Sequence, residues 1–66
     1  MNNPRNWQAL SLWAMRHPRL SPKQESFAVF VRNVLERRER LSTGQCRYAE
    51  ALFAKALRVG FVPPSD

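Results

Sequence analysis

Apolar side chains recur every three to four residues in three segments of this chain, and short polar stretches separate the segments. That spacing places the apolar side chains on one face of an α-helix. We therefore predict helices over residues 4–17, 22–40 and 43–59. A chain of 66 residues suffices for one domain, so we expect a single helical domain over 1–66 with a frayed tail at 62–66. The expected fold is all-α: a small three-helix bundle in which helices 2 and 3 form a capped helical hairpin and helix 1 lies across it.

The starts of the second and third predicted helices repeat one sequence pattern. Leu20–Ala28 reads L-S-P-K-Q-E-S-F-A, and Leu41–Ala49 reads L-S-T-G-Q-C-R-Y-A. In each copy a serine stands at the N-cap and a glutamine follows three residues later, which is the spacing of a capping box. Pro22 fits at the first helical position because a backbone N–H there would have no intrahelical partner. The repeat therefore predicts two capped helices in succession.

Proline and glycine indicate where the predicted helices end. Pro18 disfavours helical backbone at the residue before it, so helix 1 should end at His17. Gly60 can adopt the left-handed conformation that commonly ends a helix, and Phe61 should then fold back on the core. Val29 is expected to face solvent. The expected core faces of helices 2 and 3 comprise Phe27, Ala28, Phe30, Val31, Val34, Leu35, Tyr48, Ala49, Leu52, Phe53, Ala56, Leu57 and Val59.

The first helix is apolar on nearly all sides, which leaves two interpretations of its large side chains. In the first interpretation they fill the core. In the second they form an exposed surface that binds a partner protein, because Trp and Met are enriched in such surfaces. The side chains concerned are Trp7, Leu12, Trp13 and Met15. The sequence leaves both interpretations open.

The charge of the chain favours a polyanionic partner. Nine Arg and two Lys stand against five acidic residues, which gives a formal net charge of +6. Arginine suits bidentate contacts with phosphate or carboxylate groups. The predicted nucleic-acid-binding residues, which surround the start of helix 3 and follow its polar side, are Arg37, Arg38, Arg40, Arg47, Lys55 and Arg58. The alternative is a basic face that serves only to solvate the helices.

The same residues suggest how a nucleic acid would be bound. A helix entered through a short turn from its predecessor matches the layout of a helix-turn-helix element. The side chains of Asn, Gln, Ser and Thr, which commonly read bases, are absent from the basic side of helix 3 beyond its first turn. We therefore expect contacts with the phosphate backbone rather than sequence reading.

The sequence contains no recognisable catalytic, metal or cofactor site. A single Cys excludes an internal disulfide, and with a single His it excludes a conventional zinc site. No triad and no pair of carboxylates in a cleft is predicted. We therefore expect a non-enzymatic protein without a cofactor or a small-molecule substrate. The lack of a leader pattern and of a long apolar segment favours a cytoplasmic location without membrane binding.

Two stretches resemble proteins of phages and plasmids. Leu20–Phe27, L-S-P-K-Q-E-S-F, resembles the Leu-Thr-Pro-Lys-Gln-x-x-Phe helix start of phage terminase small subunits. That resemblance implies a helical, DNA-recognising packaging component. Gly44–Ala49 only partly matches the Ala-Thr-Gln-Ala-Ala-like second helix of that family, and the remainder of such a subunit has no counterpart here. Phe27–Gln45 also resembles a helix followed by Leu-Ser-x-x-Gln in phage DNA-metabolism proteins, although Gly44 replaces the usual Lys before the Gln.

Two functional hypotheses follow. The leading one is a small basic protein of phage or plasmid type that binds nucleic acid, or assists DNA metabolism, through its Arg-rich face. The alternative is an interaction module or inhibitor that docks on a host or phage protein, including an acidic protein surface, through the Trp-rich first helix. Self-association through the same helix would make a homo-oligomer.

Overall fold

Three helices connected by irregular segments make up the computed structural model, which describes residues 3–64. They are α1 (Pro4–Arg16), α2 (Pro22–Glu36) and α3 (Thr43–Arg58), and these described residues contain no β-strand. α1 packs along α2 more extensively than α3 does, and α2 and α3 are also in contact. This arrangement confirms the expected small all-α fold of three helices.

Both predicted capping boxes are formed. The Ser21 hydroxyl accepts a hydrogen bond from the Gln24 N–H at 3.2 Å, and the Gln24 side chain accepts from the Ser21 N–H at 3.0 Å. The corresponding distances for Ser42 and Gln45 are 3.1 and 2.8 Å. Each box satisfies backbone N–H groups that have no partner within the helix. The sequence repeat is therefore explained by two helix starts of the same chemistry.

α2 ends four residues earlier than predicted, at Glu36 rather than Arg40. Arg38 adopts the left-handed conformation, with φ of 60°. The Glu39 N–H donates to the Val34 carbonyl at 3.0 Å, and the Arg38 N–H donates to the Leu35 carbonyl at 3.1 Å. These two bonds form a Schellman motif, which closes the helix. The end was missed because glycine usually occupies this position, and here it is an arginine.

α3 ends at Arg58, one residue before the predicted end, through the same motif. Gly60 has φ of 117°, and the Phe61 N–H donates to the Ala56 carbonyl at 2.9 Å. The predicted roles of Gly60 and Phe61 are confirmed, since Phe61 is turned back and only 4% exposed. α1 ends at Arg16, one residue before its predicted end. Of the expected frayed tail 62–66, residues 65 and 66 lie outside the described residues.

The core lies between the three helices and also includes Leu20 from the α1–α2 connection and Phe61 from the segment after α3. Its buried apolar members are Trp7, Leu10, Ala14, Leu20, Ala28, Val31, Ala49, Leu52, Ala56 and Phe61. The alanines Ala28, Ala49 and Ala56 leave room for larger neighbours at positions where the helices face the core. α1 also buries Ser11, whose hydroxyl donates to the Trp7 carbonyl at 2.8 Å.

Three side chains assigned to the core faces are exposed instead. Phe30, Tyr48 and Leu57 are exposed by about two fifths, because they lie at the edges of arcs that three short helices cannot fully cover. Phe27 still contacts both Phe30 and Tyr48, with ring centroids 5.8 and 4.4 Å apart. Val29, expected to face solvent, is half-buried.

Four aromatic rings connect α1 to α3 and to the segment after it. Trp7 of α1 contacts Phe53 of α3, and Trp13 of α1 contacts Phe61, with ring centroids 5.6 Å apart in both pairs. Phe53 and Phe61 meet edge to face at 5.9 Å. Such pairs stabilise by roughly 0.5–1.5 kcal/mol each beyond the burial of their area. Phe61 contacts a ring on each side, so its position is important for the whole cluster.

In the described part of the chain, no helix has both the length and the apolar character needed to cross a membrane.

The two glycines provide a paired test of how α3 ends. Gly60→Ala should lower the free energy of unfolding by about 1–2 kcal/mol, because a Cβ is strained at this positive φ and not because of any clash. Gly44→Ala, inside α3 and equally free of neighbours, should raise it by up to about 1 kcal/mol. Urea denaturation of both variants measures the difference. Equal effects of the two substitutions would show that Gly60 does not determine the end of α3.

Candidate functional site

The outward side of α3 carries a narrow strip of small residues with an arginine towards each end. Gly44, Arg47, Ala51, Ala54 and Arg58 are all exposed, and their spacing of three, four or seven residues keeps them on one side of the helix. Arg47 and Arg58 are eleven residues apart, which is about 16 Å along the helix axis. The alanines between them present only methyl groups, so a ligand could approach the helix backbone closely while contacting both arginines.

Three further arginines precede this helix. Arg37, Arg38 and Arg40 are exposed in the connection between α2 and α3. Arg38 and Arg40 line a cleft of about 490 Å³ together with Pro4, Leu35, Glu39, Leu41 and Cys46. Because Cys46 belongs to the first turns of α3, this cleft lies beside the start of that helix. Five of the six predicted nucleic-acid-binding residues are therefore exposed on α3 or on the segment that leads into it.

Lys55, the sixth predicted residue, has a different environment. It is half-buried, and its Nζ donates to Oε1 of Gln24 at 3.0 Å. The same Gln24 oxygen accepts the Ser21 N–H of the α2 capping box. Lys55 therefore joins α3 to the start of α2. The interaction spans 31 residues of sequence, so helical spacing alone could not reveal it.

Two carboxylates moderate the positive charge of this region. Glu50 is exposed on α3, about 60° around the helix from Arg47. Glu39 lies in the cleft with Arg38 and Arg40. The arginines still outnumber these acids, so the region remains cationic.

Arg38 has an unfavourable backbone conformation for its side chain. It is the only non-glycine residue with positive φ among residues 3–64. For a residue with a Cβ, the left-handed conformation costs roughly 1–2 kcal/mol, and glycine at this position would largely avoid the cost. Strained residues of this kind are often found at functional sites. The cleft that Arg38 lines is therefore a candidate functional site.

The four predicted partner-binding residues divide between core and surface. Trp7 is 1% exposed and belongs to the core, so it is removed from the predicted binding surface. Trp13 is half-buried, while Leu12 and Met15 are 47% and 67% exposed. α1 turns these two outward because its opposite side, which includes Leu10 and Ala14, packs into the core.

An apolar groove lies beside these α1 side chains. Its volume is about 290 Å³, and its lining residues are Ala9, Leu12, Trp13, Arg16, His17, Phe61, Val62 and Pro64. Sequence reasoning found Leu12 and Trp13 but missed the wall formed by the segment after α3. The predicted return of Phe61 to the core was the available signal, since it brings Val62 and Pro64 towards α1.

The single Cys and the single His lie in ordinary structural contacts. Cys46 is half-buried, with its Sγ 3.9 Å from the Leu41 carbonyl oxygen. The His17 ring lies 5.9 Å from the Trp13 ring. Across residues 3–64, no three His, Cys, Asp or Glu side chains are grouped so that they could hold a metal ion.

Comparison with protein families, with curated proteins and with solved structures finds no match to this chain.

Substitutions at Arg38 test the strain at the end of α2. Arg38→Gly and Arg38→Ala remove the same charge, but only glycine relieves the left-handed backbone. We expect Arg38→Gly to be more stable than Arg38→Ala by about 1 kcal/mol, or about 4–8 °C in Tm for a domain of this size. Thermal unfolding followed by circular dichroism measures the difference. Identical melting temperatures would contradict the assigned conformation.

Proposed function

We propose that this protein is a non-enzymatic nucleic-acid-binding protein whose contacts are made mainly with the phosphate backbone. The binding surface comprises the outward strip of α3 and the arginines of the preceding connection: Arg37, Arg38, Arg40, Arg47 and Arg58. The observation that carries the proposal is the exposed strip in which only Ala51 and Ala54, both small, lie between Arg47 and Arg58.

The dimensions of this strip suit duplex DNA. The major groove of B-DNA is about 12 Å wide and admits an α-helix. Two arginines about 16 Å apart along α3 could reach phosphates on opposite edges of the groove, while the alanines between them let the helix enter. The arginines beside the start of α3 would add contacts along one strand. A net charge of +6 supports such binding at long range.

Two observations favour contact with the DNA phosphate backbone over base reading by a helix-turn-helix motif. The early end of α2 makes the α2–α3 connection six residues long, from 37 to 42. The turn of a helix-turn-helix usually has about three to four residues. Between its two arginines, the exposed strip also lacks the amide and hydroxyl side chains that commonly read bases. Binding should therefore depend strongly on salt and weakly on sequence.

A role in phage or plasmid DNA metabolism is supported by the resemblance of Leu20–Phe27 to terminase small subunits. The capping box accounts for Ser21 and Gln24 in that stretch. Only the other matched positions of this stretch, which the capping box does not explain, support the proposal.

Salt-dependent DNA binding tests the proposed surface. In fluorescence-anisotropy titrations with labelled duplex between about 50 and 200 mM salt, five phosphate contacts predict a slope of about −4.5 in log K against log salt. Arg47→Gln/Arg58→Gln should reduce the steepness by about 2 and weaken binding to every duplex sequence alike.

The control removes the same charge elsewhere. Arg5→Gln/Lys23→Gln changes two exposed residues on the first turns of α1 and α2, and should leave the slope nearly unchanged. Lys55→Gln should weaken binding less than Arg47→Gln, because the Lys55 ammonium is already bonded to Gln24. Equal losses of DNA affinity for the α3 pair and the control pair would show that binding depends on net charge alone and not on the α3 surface. Undetectable binding by the unmodified protein at low salt would refute the proposal.

A further inference from the structure

The groove between α1 and the segment after α3 is a second surface, of different chemistry. Leu12 and Trp13 form one wall, and Phe61, Val62 and Pro64 form the other. Met15 extends the apolar surface by one turn of α1, since it follows Leu12 by three residues. Single exposed apolar side chains are common, but a groove bordered by several of them is typical of a binding site.

In the described part of the chain, the polar residues that line this groove and the hollow beside it are basic. Arg16 and His17 belong to its lining, and an adjoining hollow is lined by Trp13, His17, Arg19, Val59 and Gly60. Among residues 3–64, no acidic residue lines either depression. The sequence contains no Asp or Glu before Glu25, so the whole of α1 and the connection after it lack negative charge. An occupant of the groove would therefore meet apolar walls beside the positive charges of Arg16 and Arg19.

We propose that this groove binds an acidic, amphipathic segment of another protein. Apolar anchors of that segment would lie against Leu12, Trp13 and Val62, and its carboxylates would face Arg16 and Arg19. This is the recognition of an amphipathic helix in a groove, with affinity from the buried anchors and selectivity from the charged rim. The guanidinium groups suit carboxylate partners because they form two parallel hydrogen bonds.

The groove is available without rearrangement of the core. Leu12, Met15 and Val62 are exposed, while the residues behind them, including Leu10 and Ala14, pack inward. The Schellman motif at Gly60 and the burial of Phe61 hold the second wall against α1. A preformed groove of this kind loses little conformational entropy when it binds.

Peptide selection on the intact protein tests the proposal without a known partner. A random library of peptides of about 16 residues, long enough for about four helical turns, is selected on the unmodified protein. Peptides that also bind the variant Leu12→Ser/Met15→Ser are then removed, because they do not depend on the groove. The peptides that remain should carry net negative charge and apolar residues spaced three and four apart. Enrichment of neutral or basic peptides, or of none, would overturn the proposal.

Charge reversal supplies the matched control. Arg16→Glu/Arg19→Glu should weaken binding of a selected acidic peptide by about tenfold or more, and the variant should prefer the same peptide with Lys in place of its Glu residues. All four substituted positions are exposed, so the melting temperature of each variant should stay close to that of the unmodified protein. Leu12→Ser/Met15→Ser leaves the net charge at +6 and should keep the DNA affinity attributed to α3, so failure here is distinguishable from failure of the proposed function. An unchanged peptide affinity in the charge-reversed variant would overturn the assignment.

Two other occupants would contradict the proposal and are measured directly. If two copies of the protein pair through the groove, sedimentation equilibrium would show a dimer that Leu12→Ser/Met15→Ser abolishes. The groove would then be a dimer interface. Flotation with vesicles of phosphatidylcholine and phosphatidylserine would reveal lipid binding that requires the same two residues. We expect a monomer that does not float with such vesicles.

Discussion

The contact between aromatic side chains of α1, α3 and the segment after α3 is the interaction on which this small fold most depends. α3 packs against α2 less extensively than α1 does, so contacts with α1 are important for holding α3 in place. Trp7 and Trp13 provide these contacts through Phe53 and Phe61. Phe61 reaches this position because Gly60 reverses the chain at the end of α3. The aromatic cluster thus completes a core that three short helices alone would leave partly open.

This packing turns two surfaces of different chemistry outward. The strip on α3 carries arginines separated by small residues, which suits close approach of the negatively charged phosphate backbone of a nucleic acid. The groove beside α1 is apolar with a basic rim, which suits a protein segment with both anchors and carboxylates. The two are separable by mutation because α1 and α3 present them independently. A small protein with both could bind nucleic acid and a protein partner at the same time.

Contacts between residues close in sequence could be predicted from the sequence, and most contacts between distant residues could not. The capping boxes at Ser21 and Ser42 and the turn at Gly60 depend on residues within a few positions of each other, and all were predicted. The end of α2 was missed because Arg38 occupies a position where glycine is usual. No periodic pattern in the sequence predicts the hydrogen bond from Lys55 to Gln24 or the groove wall after Phe61. Each brings together residues that are far apart in the chain. Exposure of Arg47 and Arg58 on one side of α3 was predicted because helical spacing alone places them there.

A nitrogen–proton correlation spectrum recorded during addition of duplex DNA would locate the bound surface residue by residue. Contact through α3 predicts that the largest changes occur at amides of residues 37–47 and at Ala51, Ala54 and Arg58. The amides of Leu12, Met15 and Val62 should change little. Largest changes on the outward side of α1, or small changes spread evenly over every arginine, would contradict the assignment of α3 as the nucleic-acid-binding element.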